Sequence, residues 1–383
     1  DSSIRVTDRK RAKGTGQVGS RVAAARGFKV MSALGVTPDG VPQGVCGQRF
    51  WARKSTRLRA RAKATRHLSK AQRRKAKQRL KAQQNRRRRF EDKETYRWIE
   101  VGEQVHSVFA SHAPKCRPWL QCDRGADKQD ILVAMLERGW LFTIRASYDR
   151  CLESGRKLWT HLESQPLLGT YTLEVAAKDG KPARLATMAV RAAPVRLRLR
   201  SKATGQERIA ELWAVWAQEV GVRPQGCKRI EWMLLTSREV TTLAEAQQVL
   251  VGYATRWRGE EMHRTWKTGG CCVEDTELHE PERIQKWATI LCSAAMRIAR
   301  LTYLARTQPH EPADTELSRD ELDATIALKK PPGWKLGETP TLGQAIRWIA
   351  DIGGYTGKSS GGPPGQTVIG RGLKQVETAA TAI

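Results

Sequence analysis

The amino-acid sequence predicts a mixed α/β fold that contains an antiparallel β-rich insertion and a helical C-terminal region. Three patterns lead to this prediction: a strand, acid, helix, strand order between Pro118 and Arg145, a two-residue alternation in Ala183 to Arg200, and long helical patterns after Thr242. With 383 residues, 40% of them hydrophobic, the chain is long enough for one large core and a second, smaller body.

The first elements along the chain form a predicted β-hairpin. Phe28 to Val36 is rich in strand formers, and a second such run extends from Val41 to Trp51. Thr37 to Gly40 between them reads Thr-Pro-Asp-Gly, a turn sequence in which proline fixes one dihedral angle and glycine accepts a positive one.

The next predicted elements belong to an α/β sheet. Pro118 to Asp123 reads as a short buried strand that ends in an acid, and Asp127 is placed to cap a helix that runs to about Arg138. Leu141 to Arg145 then reads as the following strand. Sites in such sheets lie at the carboxyl ends of the strands, so Asp123 is in a favourable position for chemistry.

A β-rich insertion follows, in which Tyr171 to Val175 and Ala183 to Arg200 alternate as antiparallel strands with one solvated, basic face. Glu231 to Ser237 returns to a buried strand. Thr242 and Glu245 form a predicted capping box, which begins a long helix that ends near Gly269-Gly270. A second long helix is predicted from about Pro281 to Thr307. The predicted domains are a core at 1–150 and 230–306, the insertion at 151–229, and a C-terminal region at 307–383.

The charge of the chain indicates a polyanionic partner. It has 68 basic and 39 acidic residues, a formal charge of +29, and an isoelectric point near 10.3. Between Lys54 and Arg89 there are 17 lysines and arginines and no acidic residue, glycine or proline, so we expect a helical arm that binds DNA without sequence preference. A solvated arm and a merely basic enzyme are the alternatives.

The composition also bears on where the protein is located and on whether it binds zinc. No stretch is apolar for long enough to cross a bilayer, so we expect no membrane partner beyond a weak attraction to an anionic surface. The eight cysteines include no CxxC pair, which favours reduced thiols in a cytoplasmic, nucleoid-associated protein. Cys271 and Cys272 with His263 and His279 could be drawn as a zinc site, but their spacing fits no usual zinc pattern.

The predicted helix after Thr242 carries an unusual polar face. On a continuous helix one face would present Tyr253, Arg256, Glu260, Arg264 and Lys267. Trp257 borders that face. A solvated ladder of salt bridges would also produce this pattern. A face that lies along a phosphate backbone explains more of it, because cations hold phosphates while a carboxylate holds a metal ion.

These residues resemble a known family. The spacing Tyr253-x2-Arg256-x3-Glu260-x6-Lys267 is similar to the tyrosine–arginine–glutamate–lysine motif of the IS-four family of bacterial DDE transposases. Cys122 to Asp127 resembles the segment around that family's second catalytic aspartate. Asp1-Ser2-Ser3 resembles the segment around the first, and Gly27 to Arg53 resembles the hairpin that follows it.

The resemblance implies an RNase H-like fold and a DNA transposase that cuts transposon ends and joins them to target DNA. It implies that Asp1, Asp123 and Glu260 are catalytic and hold two magnesium ions, for which manganese would substitute. The resemblance also implies contacts with DNA. Trp232 would receive a flipped base, and Trp257 would abut the DNA end. The residues that would grip phosphates are Arg145, Tyr253, Arg256, Arg264 and Lys267. The implied partners are double-stranded transposon ends with their inverted repeats, target DNA, and a second copy of the chain in a synaptic homodimer.

The first aspartate stands at position 1, and by this resemblance a strand and a DNA-binding domain would precede it. We therefore expect an N-terminally truncated chain that is inactive as it stands, because a terminal residue is too mobile to hold a metal ion in tight geometry. Two other functions stay open from the sequence. One is an RNase H-like nuclease without joining activity, and the other is a degenerate remnant that binds DNA without chemistry.

Overall fold

The computed structural model divides the chain into two compact units. Unit 1 comprises Asp1–Thr56 and Trp257–Ile383, and unit 2 comprises Arg57–Arg256. The structure describes residues 2–6, 14–18, 25–53, 69, 71–76, 78–79, 88–177, 182–200, 207–358 and 362–382. Strands and helices occur in both units, which confirms an α/β fold, while the three predicted domain boundaries stay predictions.

Ten strands and nine longer helices lie in these ranges. The strands are β1 (Ser2–Val6), β2 (Gly16–Gln17), β3 (Arg26–Val36), β4 (Pro42–Trp51), β5 (Trp119–Cys122), β6 (Leu141–Arg145), β7 (Gly169–Val175), β8 (Arg184–Arg200), β9 (Glu207–Val220) and β10 (Glu231–Thr236). The helices are α1 (Arg97–His112), α2 (Gln129–Glu137), α3 (Leu158–Glu163), α4 (Leu243–Thr255), α5 (Arg258–Lys267), α6 (Pro281–Thr307), α7 (Arg319–Lys329), α8 (Leu342–Ile352) and α9 (Gln366–Ala380).

In unit 1, the four strands form one sheet in which β3 pairs antiparallel with β1, β2 and β4. The predicted hairpin is therefore confirmed. Its turn closes with a hydrogen bond from the Gly40 N–H to the Thr37 carbonyl, and Gly40 has the positive φ of 90° that the turn sequence predicts.

The helices of unit 1 bury one side each. Helix α6 has the bounds expected from the sequence, with proline at its first position, where a missing N–H costs nothing. The helical C-terminal region is also confirmed, and α7, α8 and α9 share an apolar cluster with the second half of α6. None of the helices in the described ranges is long and apolar enough to span a membrane.

In unit 2, one six-stranded sheet has the order β5-β6-β10-β9-β8-β7. Strands β5 and β6 are parallel, and every other pair is antiparallel. The predicted strands before Asp123 and before Arg145 are confirmed. The strands of the predicted insertion belong to the same sheet as β5 and β6, to which β10 joins them. Within the described residues, the strands of unit 1 pair only with one another. The RNase H-like arrangement stays an expectation.

Strand β9 was not identified from the sequence. Ala214 to Ala217 are buried at four consecutive positions, because both faces of this central stretch are covered, so the two-residue alternation is lost there. Strands in this region were predicted from that alternation, which β8 shows clearly from Val195 onwards.

The solvated face predicted for β8 exists, but it is not simply basic. Arg196 and Arg198 are exposed. Arg196 faces Glu211 across the β8–β9 pair, at 3.6 Å, and forms a closer ion pair with Glu153 at 2.9 Å. Arg198 donates to the Glu153 carbonyl. Cross-strand acids therefore offset part of the charge that the sequence of β8 suggests.

The helix predicted to start at Asp127 starts later, at Gln129, with Lys128 at its N-terminal boundary. Asp127 does not cap it. Its side chain is fully buried, accepts the backbone N–H groups of Ser147 at 2.6 Å and Tyr148 at 3.1 Å, and pairs with Arg150 at 2.5 Å. A buried carboxylate requires such partners, and here they come from the loop after β6 rather than from the helix.

The single long helix predicted after Thr242 is wrong, because the structure contains two helices. Thr242 and Glu245 form the expected capping box. Helix α4 ends at Thr255, and α5 begins at Arg258. Between them the backbone angles stay helical, but the N–H of Arg256 bonds the carbonyl of Tyr253, only three residues before it. This tighter turn ends the regular helix, so the single continuous helix on which the common face was predicted is not formed.

Most of the basic segment 54–89 lies outside the described residues. Residues 71–76 and 78–79 are helical, as expected for that stretch. The prediction that the whole segment is a DNA-binding arm is untested.

The buried Asp127–Arg150 pair provides a test of the fold of unit 2. Arg150→Ala should lower the free energy of unfolding by about 3–5 kcal/mol, because it leaves a buried carboxylate without its charge partner. Arg196→Ala, which removes an exposed ion pair, should cost about 0–1 kcal/mol. Urea denaturation of the two variants and the parent measures the difference. Equal losses would show that Asp127 is not the buried anion described above.

Candidate functional site

The residues predicted to act on DNA fall into two groups, each of which is described within its own unit. Unit 2 contains Asp123, Arg145, Trp232, Tyr253 and Arg256. Unit 1 contains Trp257, Glu260, Arg264 and Lys267. Asp1 lies outside the described residues.

Tyr253 is the centre of the group in unit 2. It lies on α4 with only 4% of its surface exposed, and its hydroxyl shares hydrogen bonds with the side chains of Arg145 and Arg256. The Arg145 guanidinium also donates to the carbonyl oxygen of Glu231 at 3.0 Å. The Arg256 guanidinium carbon lies 5.9 Å from the centre of the Tyr253 ring. Two cations are thus fixed around one buried hydroxyl.

The pKa values show that this arrangement holds positive charges close together. Burial lowers the pKa of Arg145, the charges of Arg124 and Arg256 lower it further, and its contact with Tyr253 acts in the opposite direction. Burial raises the pKa of Tyr253, so its hydroxyl stays protonated and neutral. Arg145 is thus a partly desolvated cation whose charge is close enough to those of Arg124 and Arg256 to be affected by them.

Trp232 packs against the same tyrosine. It lies on β10, and its ring meets that of Tyr253 edge to face, with 5.3 Å between the ring centres and 76° between the planes. The Trp232 side chain is partly buried beside the apolar cluster that contains Tyr253. The structure thus brings four of the predicted DNA contacts of unit 2 into one cluster: Arg145, Trp232, Tyr253 and Arg256.

Asp123 follows β5 directly and begins a short 3-10 turn, Arg124–Ala126. Its carboxylate accepts the N–H of Gly125 at 2.6 Å, which fixes the side chain over the turn. Burial raises the pKa of the preceding Cys122 to about 12, and the charge of Asp123 acts in the same direction. The Cys122 thiol therefore stays protonated and is no nucleophile.

In unit 1, α5 is anchored by its buried side, and Glu260 and Arg264 are exposed on the other. Met262 and Trp266 are buried, and the Trp266 indole N–H donates to the Ala288 carbonyl at 2.9 Å. Trp257 precedes the helix with 47% of its surface exposed. The anchoring contacts fix the helix that carries Glu260.

Lys267 has a protein partner that the sequence did not indicate. Its ammonium nitrogen lies 3.7 Å from the carboxylate of Glu274, whose other contact is the backbone N–H of Arg5 at 3.0 Å. At that distance the ion pair is loose and partly exposed, so it offsets the Lys267 charge only in part.

Arg258 is a residue of this region that the sequence analysis missed. It pairs with Glu261 at 2.7 Å, donates to the Gly40 carbonyl at 3.3 Å, and its guanidinium lies 4.3 Å from the centre of the Tyr303 ring. The Tyr303 hydroxyl in turn donates to the Asp39 carbonyl. The three-residue spacing between Arg258 and Glu261 was the only signal of these contacts in the sequence, and it does not predict contacts between Arg258 and the hairpin turn.

The carboxylates suit magnesium, a hard ion that prefers oxygen ligands, and this supports the predicted ligand type. Within the part of the chain that the structure describes, no three His, Cys, Asp or Glu side chains are grouped to hold a metal ion. The alternative zinc site at Cys271, Cys272, His263 and His279 is therefore not formed there. Asp123 and Glu260 belong to different units, and the magnesium site stays a prediction.

His263, three residues after Glu260, predicts a pH dependence of stability. Burial lowers its pKa to about 4, below the ordinary value, so an unfolded chain takes up a proton that the folded chain does not. Stability should fall by about 2 kcal/mol between about pH 7.5 and about pH 5 from this residue alone. In His263→Gln, the denaturation midpoints at the two pH values should lie closer together than they do in the parent. The exposed His112, changed to Gln, is the control, and identical pH dependence in both variants would contradict the assignment.

A comparison with known families identifies the C-terminal region. Residues 293–382, from within α6 to the end of α9, match the family model described as the Transposase Tn5 dimerisation domain. Over these residues the chain is similar to the dimerisation domain of Tn5-type transposases.

Proposed function

We propose that this protein is a DNA transposase that cleaves the ends of a mobile element and joins them to target DNA. Two independent features support the proposal. The dimerisation match covers residues 293–382, whereas the tyrosine–arginine–glutamate–lysine motif lies outside that range, at Tyr253, Arg256, Glu260 and Lys267.

The observation that carries the proposal is the clustering of Arg145 and Arg256 around the buried Tyr253 hydroxyl. The planar guanidinium groups of Arg145 and Arg256 offer several N–H donors, which match the oxygens of a DNA phosphate. Both groups are already oriented, so little side-chain freedom would be lost when a phosphate binds.

The proposed catalytic carboxylates are Asp1, Asp123 and Glu260, which would hold two magnesium ions. Bound ions of this kind supply Lewis-acid activation of the attacking oxygen and stabilisation of the leaving oxygen. The contribution of the chain itself is to hold those carboxylates. The Gly125 N–H fixes Asp123, and buried Trp266 and Met262 fix the helix that carries Glu260.

The remaining residues would bind and orient the DNA. Arg145, Arg256, Arg264 and Lys267 would contact phosphates, whose positions fix the register of the duplex. Trp232 would stack on an extruded base, and the exposed Trp257 ring would abut the end of the duplex. Homodimer formation through the C-terminal region would bring two transposon ends together.

The role of the carboxylates can be tested with isosteric changes. Asp123→Asn and Glu260→Gln should each reduce metal-dependent nicking of transposon-end DNA by several orders of magnitude and leave end binding nearly unchanged, because an amide removes a metal ligand but few phosphate contacts. Each assay would use the full-length protein. Gel-based nicking and binding assays measure the two effects, and Glu282→Gln, on the exposed surface of α6, is the control.

Near-parental nicking in either carboxylate variant would contradict the catalytic assignment. Nicking by the parent without joining of a pre-cut end to plasmid DNA would indicate a nuclease, and binding by the parent without nicking would indicate a remnant that only binds DNA.

Trp232→Ala should separate two steps of the reaction. The first nick requires no extruded base and should stay nearly normal, while hairpin formation should slow and nicked DNA should accumulate, because about 1–3 kcal/mol of base stacking is lost. Trp232→Phe keeps a ring and should restore much of the hairpin. A time course on denaturing gels measures both products. Equal loss of nicking and hairpin formation, together with a much lower melting temperature, would show that Trp232 serves only the core.

A further inference from the structure

The loop that follows β6 is held in place by a buried anion. Asp127 accepts the N–H groups of Ser147 and Tyr148 and pairs with Arg150, and the Arg150 guanidinium also donates to the Asp127 carbonyl at 3.2 Å. The Ser147 hydroxyl donates to the carbonyl of Arg124 at 3.2 Å. The loop is thereby tied to the turn that begins at Asp123, which fixes its backbone before any ligand binds.

This loop presents an aromatic ring to solvent. Tyr148 has 49% of its surface exposed, although its backbone is hydrogen-bonded to a fully buried residue. Two cations flank its ring: the Lys128 ammonium at 4.7 Å from the ring centre and the Arg150 guanidinium at 5.3 Å. The Lys128 ammonium also donates to the Tyr148 hydroxyl at 2.8 Å. The ring is therefore immobilised without being covered.

The surroundings of Tyr148 are cationic. Arg124 is exposed on the neighbouring turn, and its charge reaches Arg145, whose pKa it lowers. Two neighbouring acids are already engaged: Asp127 by Arg150, and Asp149 by the N–H of Trp159 at the start of α3. A fixed aromatic ring among cations suits a nucleotide, which offers a flat base and a negative phosphate.

We propose that Tyr148, with Lys128 and Arg150 beside it, is a stacking platform for an unpaired base of single-stranded DNA next to Asp123. The inference rests on the proposed function, because both require that the protein binds DNA. The occupant is a single strand rather than a duplex, because only an unpaired base exposes a face on which the ring can stack. Lys128 and the exposed Arg124 would hold the adjoining phosphates.

The test is binding of a short single-stranded oligonucleotide that contains one 2-aminopurine, with the metal chelated so that no cleavage occurs. The parent should quench the 2-aminopurine fluorescence, as a stacked base does. Tyr148→Ala should weaken binding roughly 5- to 100-fold and abolish the quenching, whereas Tyr148→Phe should bind and quench like the parent. Leu167→Ala, at a residue with 50% of its surface exposed elsewhere in unit 2, is the matched control and should behave like the parent.

Parental affinity and quenching in Tyr148→Ala would overturn the proposal, and so would an equal loss in Leu167→Ala. Melting curves check that each variant folds. If Tyr148→Ala does not fold, Tyr148→Leu replaces it, since it keeps apolar bulk but has no ring, and unchanged quenching in that variant also overturns the platform. A parent that quenches the base but never nicks DNA would contradict the proposed transposase while leaving the platform supported.

Discussion

The hydroxyl of Tyr253 lies between two guanidinium groups, and the proposed function of unit 2 depends on that contact. Arg145 comes from β6 and Arg256 from the end of α4, so the tyrosine joins the sheet to the helix packed on it. The hydroxyl is neutral, so it can accept hydrogen bonds from both guanidinium groups. Trp232 packs against the same tyrosine in an edge-to-face arrangement.

Unit 1 relies on apolar anchoring instead. Helix α6 receives the Trp266 indole at Ala288 and the Met262 sulfur at Cys292, and then continues into the region that matches a dimerisation domain. One rigid helix thereby supports the helix that carries Glu260 and also begins the region proposed for pairing. Helix α6 runs without interruption for 27 residues, from Pro281 to Thr307.

The sequence predicted the elements whose signals are local. The hairpin with its Gly40 turn, the strands before Asp123 and Arg145, and the bounds of α6 were all foreseen. It did not predict features that depend on distant partners. Asp127 resembles a helix cap until the loop at Ser147 supplies its hydrogen bonds, and β9 loses its alternation because neighbours cover both faces. The motif placed Tyr253, Arg256, Glu260, Arg264 and Lys267 on one face of a single helix, but no local signal indicated that the helix would break after Thr255.

The most direct test of the account is the salt dependence of transposon-end binding. If Arg145 and Arg256 each hold a phosphate, Arg145→Gln and Arg256→Gln should each reduce the slope of log affinity against log salt by about 0.9, and the double variant by about 1.8. Arg196→Gln, on the acid-paired face of β8, should leave the slope unchanged. Slopes equal to that of the parent in variants with parental melting temperatures would contradict the account, because the clustered arginines would then serve only the fold.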